Sequence, residues 1–161
     1  LPPRVPPERR KPYRNCVPVY DLRFAAGEFG EFQVSDPDDV EWVEPPEGVK
    51  PSMDLFIAQV VGESMNRVIP NGAWCLFRNA RAGSREGKIV LVQSRDIHDS
   101  EMGGRYTVKR YSSEKKSTPD GWQHHRIILS PDSDRSNYQP IIITNAAEAE
   151  LEVLGEHVAT L

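Results

Sequence analysis

The sequence predicts a mainly β fold. Short apolar, β-branched runs recur along the chain, Gly, Pro, Asn and Asp turn signals separate them, and helical periodicity is nearly absent. At 161 residues the chain suits one domain, or one domain with an extension, and is long enough for a real core.

The first sixteen residues, rich in Pro and in Arg and Lys, have no periodicity to bury and read as a linker or extended arm. The chain opens on Leu1 rather than Met, so the expectation is a fragment of a longer protein. From residue 17 the pattern changes. Residues 17–24 alternate like a strand, a Gly-containing break follows at 27–30, and 31–34 resume the run. Residues 35–54 are rich in Asp, Glu and Pro, with Trp42 and Val43 as their apolar anchor, and read as a solvated loop. Residues 55–61 form a strand that Gly62 ends, and 64–69 suit one or two helical turns. Strands follow at 73–77 and 88–92, each preceded by a Gly-containing turn. A polar excursion at 95–104 ends in Gly103-Gly104 and leads to a strand at 106–111. A polar hairpin tip covers 112–123, and further strands are expected at 126–130, 141–143 and 151–158.

Composition excludes several classes. Apolar residues at 38% and charged residues at 27% describe a soluble globular chain rather than a disordered one. A net charge of −4 leaves no electrostatic footprint for nucleic acid. No apolar run approaches the ~18–20 residues needed to span a bilayer. Cys16 and Cys75 are the only cysteines, which is no disulfide framework and fits a reducing cytoplasm. His124 and His125 are adjacent and so point to opposite faces of a strand, with no Cys or Asp at metal spacing. Neither a metal nor a cofactor is expected.

Ser64 and Lys109 carry the chemistry. Ser64 sits in Val60-Val61-Gly62-Glu63-Ser64-Met65, directly after a strand, and Lys109 lies in the alternating run Tyr106-Thr107-Val108-Lys109-Arg110-Tyr111. A serine hydroxyl needs a base to take its proton, and a lysine serves only when neutral. Burial among apolar groups lowers a lysine's pKa by up to ~3–5. Taken alone, a Gly-x-Ser-Met turn more often reflects backbone needs, and a lone strand lysine is usually an exposed edge residue. The combination is what points to chemistry. The interval from Ser64 to Lys109 allows one hairpin to bring them together. Backbone N–H groups around Gly62, Ser64 and Met65 would then face an oxyanion, with Gly62 permitting close approach.

Several ordered motifs resemble the self-cleaving Ser-Lys peptidases of the LexA and UmuD type. Val61-Gly62-Glu63-Ser64-Met65 is similar to the family's nucleophile turn, and Thr107-Val108-Lys109-Arg110 to the strand carrying its lysine. Leu129-Ser130-Pro131-Asp132-Ser133, Tyr138-Gln139-Pro140-Ile141-Ile142 and residues 151–158 resemble later segments. Ala25-Ala26-Gly27-Glu28 looks like the LexA Ala-Gly cleavage loop, here within about 24–34 of a domain at 17–161. The turn departs from the family at Asn71 and Ala73, where acidic residues are usual, and the 95–104 excursion is longer.

The resemblance implies a compact LexA/signal-peptidase-like β domain of short, strongly bent strands. It implies a serine endopeptidase in which Lys109 is general base, Ser64 nucleophile and Ala26–Gly27 the scissile bond. It further implies a homodimer through the C-terminal strands and a RecA–single-stranded-DNA filament as trigger. Cleavage would inactivate or release an upstream module in the SOS response to DNA damage. No winged-helix domain precedes Pro2, so direct DNA binding is not expected of these residues. The alternative is a UmuD-like accessory or dimerisation module that binds a translesion polymerase or another partner, with cleavage only regulatory or absent. A trans-acting signal-peptidase-type enzyme is disfavoured by the missing anchor.

Overall fold

Alternating and β-branched runs take up the strands expected of them. The computed structural model describes residues 1–22, 40–79, 83–117, 119, 121, 123–144 and 150–161. Nine strands, β1 (Val17–Tyr20), β2 (Glu41–Val43), β3 (Leu55–Val60), β4 (Ala73–Asn79), β5 (Ile89–Gln93), β6 (Tyr106–Ser117), β7 (Gln123–Ser130), β8 (Ile141–Thr144) and β9 (Glu152–Thr160), form one open sheet. Their order is β2-β1-β3-β4-β9-β5-β6-β7-β8. Among the described strands only β1 and β3 pair in parallel, so the sheet is mixed. Among the described residues no helix is long and apolar enough to cross a membrane.

Four details differ from the sequence reading. Glu41–Val43 is a strand on the outside of β1, with Trp42 and Val43 buried, because two adjacent apolar residues suffice to anchor a short edge. Residues 1–16 are not a free linker. Val5 donates its N–H to the Trp42 carbonyl at 2.9 Å, Cys16 is fully buried, and Tyr13 packs edge-on against Trp42. Ser64 to Ile69 makes successive tight turns rather than helix, closed by Val68 N–H and Ile69 N–H on the Met65 carbonyl. Finally, β6 and β7 extend through the segment read as a polar tip. Their Ser and Lys residues pair in register with β7, and Arg126 bridges Glu114 across the ladder at 2.6 Å. The strand expected at 31–34 lies outside the described residues.

Two apolar clusters fill the faces around β5. Leu91 joins Phe56, Phe77, Met65, Ile69, Tyr106 and Val108 in one, with Phe56 stacked on Phe77 at 5.5 Å. Val90 and Val92 join Ile97, Tyr111, Ile127, Leu129 and Ile143 in the other. Successive β5 residues point to opposite faces, so this strand is buried on both sides. Lys109 stands directly opposite Val90, and Thr107 opposite Val92.

Candidate active site

Strand β3 delivers the chain to Gly62, whose φ of +109° turns it sharply. Only a residue without Cβ takes that conformation at no steric cost. A Cβ there would also lie 2.8 Å from the Glu101 carboxyl. Glycine is thus required twice over, once by the backbone and once by its neighbour.

The turn that follows is held by polar contacts. Asn71 Oδ1 accepts the Gly62 N–H at 2.7 Å, and Asn71 Nδ2 donates to Glu63 Oε1 at 3.4 Å. An amide can accept at one end and donate at the other, whereas an Asp would set a carboxylate against Glu63. Asn71 therefore suits this turn. Asp132 donates its N–H to the Ser64 carbonyl at 2.9 Å, and its carboxylate meets Arg110 at 3.2 Å. Below the turn, Met65 and Ile69 are buried in the core.

On the other side, Lys109 is fixed by the β5–β6 ladder and is only 4% exposed. Its Nζ donates to Ser64 Oγ at 3.0 Å, to Thr107 Oγ1 at 2.6 Å and to the Val108 carbonyl at 3.2 Å. An ammonium has three N–H groups, and here each has an acceptor. The neutral amine would keep two of them and turn its lone pair to the third partner. Burial pushes the Lys109 pKa below the ordinary lysine value, opposed by the charges of Asp99 and then Glu101. Asp99 Oδ2 lies 3.8 Å from Nζ.

The structure thus brings Ser64 and Lys109 within hydrogen-bond distance. Of the amides expected to face an oxyanion, that of Gly62 is taken by Asn71. The Ser64 and Met65 amides have no hydrogen-bond acceptor among the described residues, and the Glu63 amide donates to Glu101 Oε2 at 3.3 Å. Gly62 contributes its conformation rather than its N–H. Ala26 and Gly27 lie outside the described residues. Among the described residues no group of three or more His, Cys, Asp or Glu is arranged to hold a metal ion.

The polar excursion folds onto the site, which its sequence gave no means of foreseeing. Ile97 anchors it in one cluster and Met102 in the other, and Asp99 and Gly104 exchange backbone hydrogen bonds at 2.8 Å. Glu101 is held by the Tyr138 hydroxyl at 2.6 Å. Thr107 was legible in principle, because residues two apart in a strand share a face. Beside the excursion, Tyr20, Asp21, Leu22, Gln59, Val61 and Trp74 line a cleft of about 320 Å³ that Glu101 and Met102 close.

A search of curated proteins finds no match to the chain. The family model described as Peptidase S24-like matches residues 18–158, nearly the whole chain, and it carries a serine-peptidase fold. The chain belongs to the Peptidase S24-like family.

Proposed function

We propose that this domain cleaves its own chain between Ala26 and Gly27, with Ser64 as nucleophile and Lys109 as general base. The observation that carries the reading is the 3.0 Å approach of Lys109 Nζ to Ser64 Oγ in a site where burial favours the neutral amine. Neutral Lys109 takes the Ser64 proton as Oγ attacks the Ala26 carbonyl carbon. The oxyanion meets the Ser64 and Met65 amides. Lys109 then passes its proton to the departing Gly27 nitrogen. Water, deprotonated by Lys109, attacks the Ala26 ester and frees the serine.

Tether length supports an attack within one chain. Leu22 is buried in the same core cluster as Met65, next to the nucleophile. Ala26 follows four residues later, a reach of at most ~14 Å for extended backbone. Tyr20 and Leu22 line the same cleft as Val61 and Glu101, which flank the nucleophile turn. Holding nucleophile and carbonyl in one molecule lowers the barrier by as much as ~7–11 kcal/mol when aligned.

The reading extends to an SOS-type role, in which a RecA–single-stranded-DNA filament triggers cleavage and frees or inactivates an upstream module. It also includes a homodimer through the C-terminal strand. Residues 157–160 of β9 pair only with β4 among the described strands, while Val158 and Leu161 are 42% and 39% exposed. That open edge suits a second copy.

Intact-mass analysis at alkaline pH tests the chemistry. The parent chain should yield the two fragments of an Ala26–Gly27 break, and neither Ser64→Ala nor Lys109→Ala should. A parent chain that stays whole, with and without a RecA filament, sinks the proposal.

A further inference from the structure

We propose that Asp99 is a positioning residue for this reaction, holding Thr107 as a hydrogen-bond acceptor so that the Lys109 lone pair is aimed at Ser64. The inference rests on the self-cleavage reading for its consequence, and on hydrogen-bond bookkeeping for its geometry.

A threonine hydroxyl has one proton. Thr107 Oγ1 gives it to Asp99 Oδ2 at 2.7 Å, and so can only accept from Lys109 Nζ, 2.6 Å away. The Val108 carbonyl is likewise an acceptor. Once Lys109 is neutral, its two remaining N–H groups are claimed by these two oxygens. The lone pair then has one polar partner left, Ser64 Oγ at 3.0 Å. Without a fixed Thr107, the threonine hydroxyl would turn and donate to that lone pair, competing with the serine.

A carboxylate is needed for this, and an amide of the same shape does not serve. Asp99 Oδ1 already accepts the Glu101 and Met102 N–H groups at 3.1 and 3.0 Å, an arrangement that shapes the excursion. Both ends of the side chain must therefore accept. An asparagine keeping Oδ1 on those amides presents Nδ2 to Thr107, and the threonine proton swings toward Lys109. The charged groups acting on Lys109 are Asp99 and Glu101, both from the excursion, and the other groups it touches are the neutral Ser64, Thr107 and Val108 oxygens.

Asp99→Asn therefore lowers two readouts together, a titration midpoint and a rate plateau, although a lower midpoint alone would leave more of the base neutral; a merely structural residue would not couple them. In a Ser64→Ala background, where cleavage cannot intervene, the Lys109 Cε resonance is titrated by NMR. Its midpoint should fall by about one pH unit when the Asp99 charge is removed. With Ser64 present, the high-pH plateau of self-cleavage should fall roughly 10- to 100-fold, because a misaimed base loses the near-attack geometry. Thr107→Val should show the same loss, and Asp99→Asn should add nothing to it, while Thr107→Ser keeps the parent plateau. An unmoved midpoint, or a parent-like plateau in Asp99→Asn, overturns the proposal. A parent chain that never cleaves while the midpoint shifts overturns the self-cleavage reading and the aiming role with it, leaving only the charge coupling. Glu101→Gln, which leaves Thr107 untouched, should lower the midpoint less than Asp99→Asn; an equal or larger fall there counts against a coupling centred on Asp99.

Discussion

Ser64 and Lys109 meet at 3.0 Å but are held there by different physics. Lys109 belongs to β6, paired with β5 on one side and β7 on the other, so backbone ladders and two apolar clusters fix it. Ser64 sits on a turn tied down by Asn71, Asp132 and the buried Met65. The base is thus placed by burial and the nucleophile largely by polar contacts from distant segments. Damage to the apolar packing behind the base should cost stability first, and damage to the turn under the nucleophile should cost rate first.

The largest effect expected on stability comes from the base's side. Leu91 is fully buried opposite Val108, and Leu91→Ala should destabilise the fold by about 2–5 kcal/mol in chemical denaturation. A smaller loss would mean that β5 does not brace β6 as described. Gly62→Ala comes next. A Cβ at φ +109° and 2.8 Å from Glu101 should cost about 1–3 kcal/mol, with a fall in self-cleavage out of proportion to that loss. Equal losses in the two measurements would remove the distinction between the regions. Arg110→Ala is the mildest. Its half-exposed pair with Asp132 should contribute less than about 1 kcal/mol, yet it joins the strand of the base to the segment that holds the Ser64 carbonyl. Cleavage should slow while the melting temperature barely moves.

A pH comparison sharpens the same contrast by sign alone. Burial lowers the Lys109 pKa, so the folded protein gives up this proton before the unfolded chain does. The unfolded state then binds more protons, and stability rises with pH between the folded midpoint and the ordinary lysine value. Tyr20, Tyr106 and Cys75, the last pushed up to about 11, are held protonated by burial and act in the opposite sense. The difference between the parent and Lys109→Met isolates the lysine. That difference should shift in favour of the parent as pH climbs toward the lysine range, and a flat difference would mean that the amine is not buried at cost.

Much of the sheet was legible because its central strands are buried on one or both faces and carry β-branched runs. Residues 55–61, 73–77 and 88–92 lie within a residue or two of β3, β4 and β5. The far halves of β6 and β7 were not, since Ser112, Ser113, Glu114 and Lys115 owe their strand to partners rather than to their own pattern. Glu41–Val43 escaped for the same reason, as a short edge in an acidic setting. At the site, Ser64 and Lys109 could be paired in advance because their two motifs, weak singly, occur together and in order. Asp99 and Glu101 could not, because nothing in a polar stretch tells which carboxylate folds back toward a lysine.

The pH–rate profile of self-cleavage, read by intact mass in the parent and in Lys109→Ala, tests the Ser64–Lys109 pairing most directly. The expected parent rate climbs about tenfold per pH unit and levels off at a midpoint below the ordinary lysine value, matching that of the Lys109 resonance, with no break at Ala26–Gly27 in the variant. A rate independent of pH, or the same cleavage persisting in Lys109→Ala, contradicts Lys109 as the base.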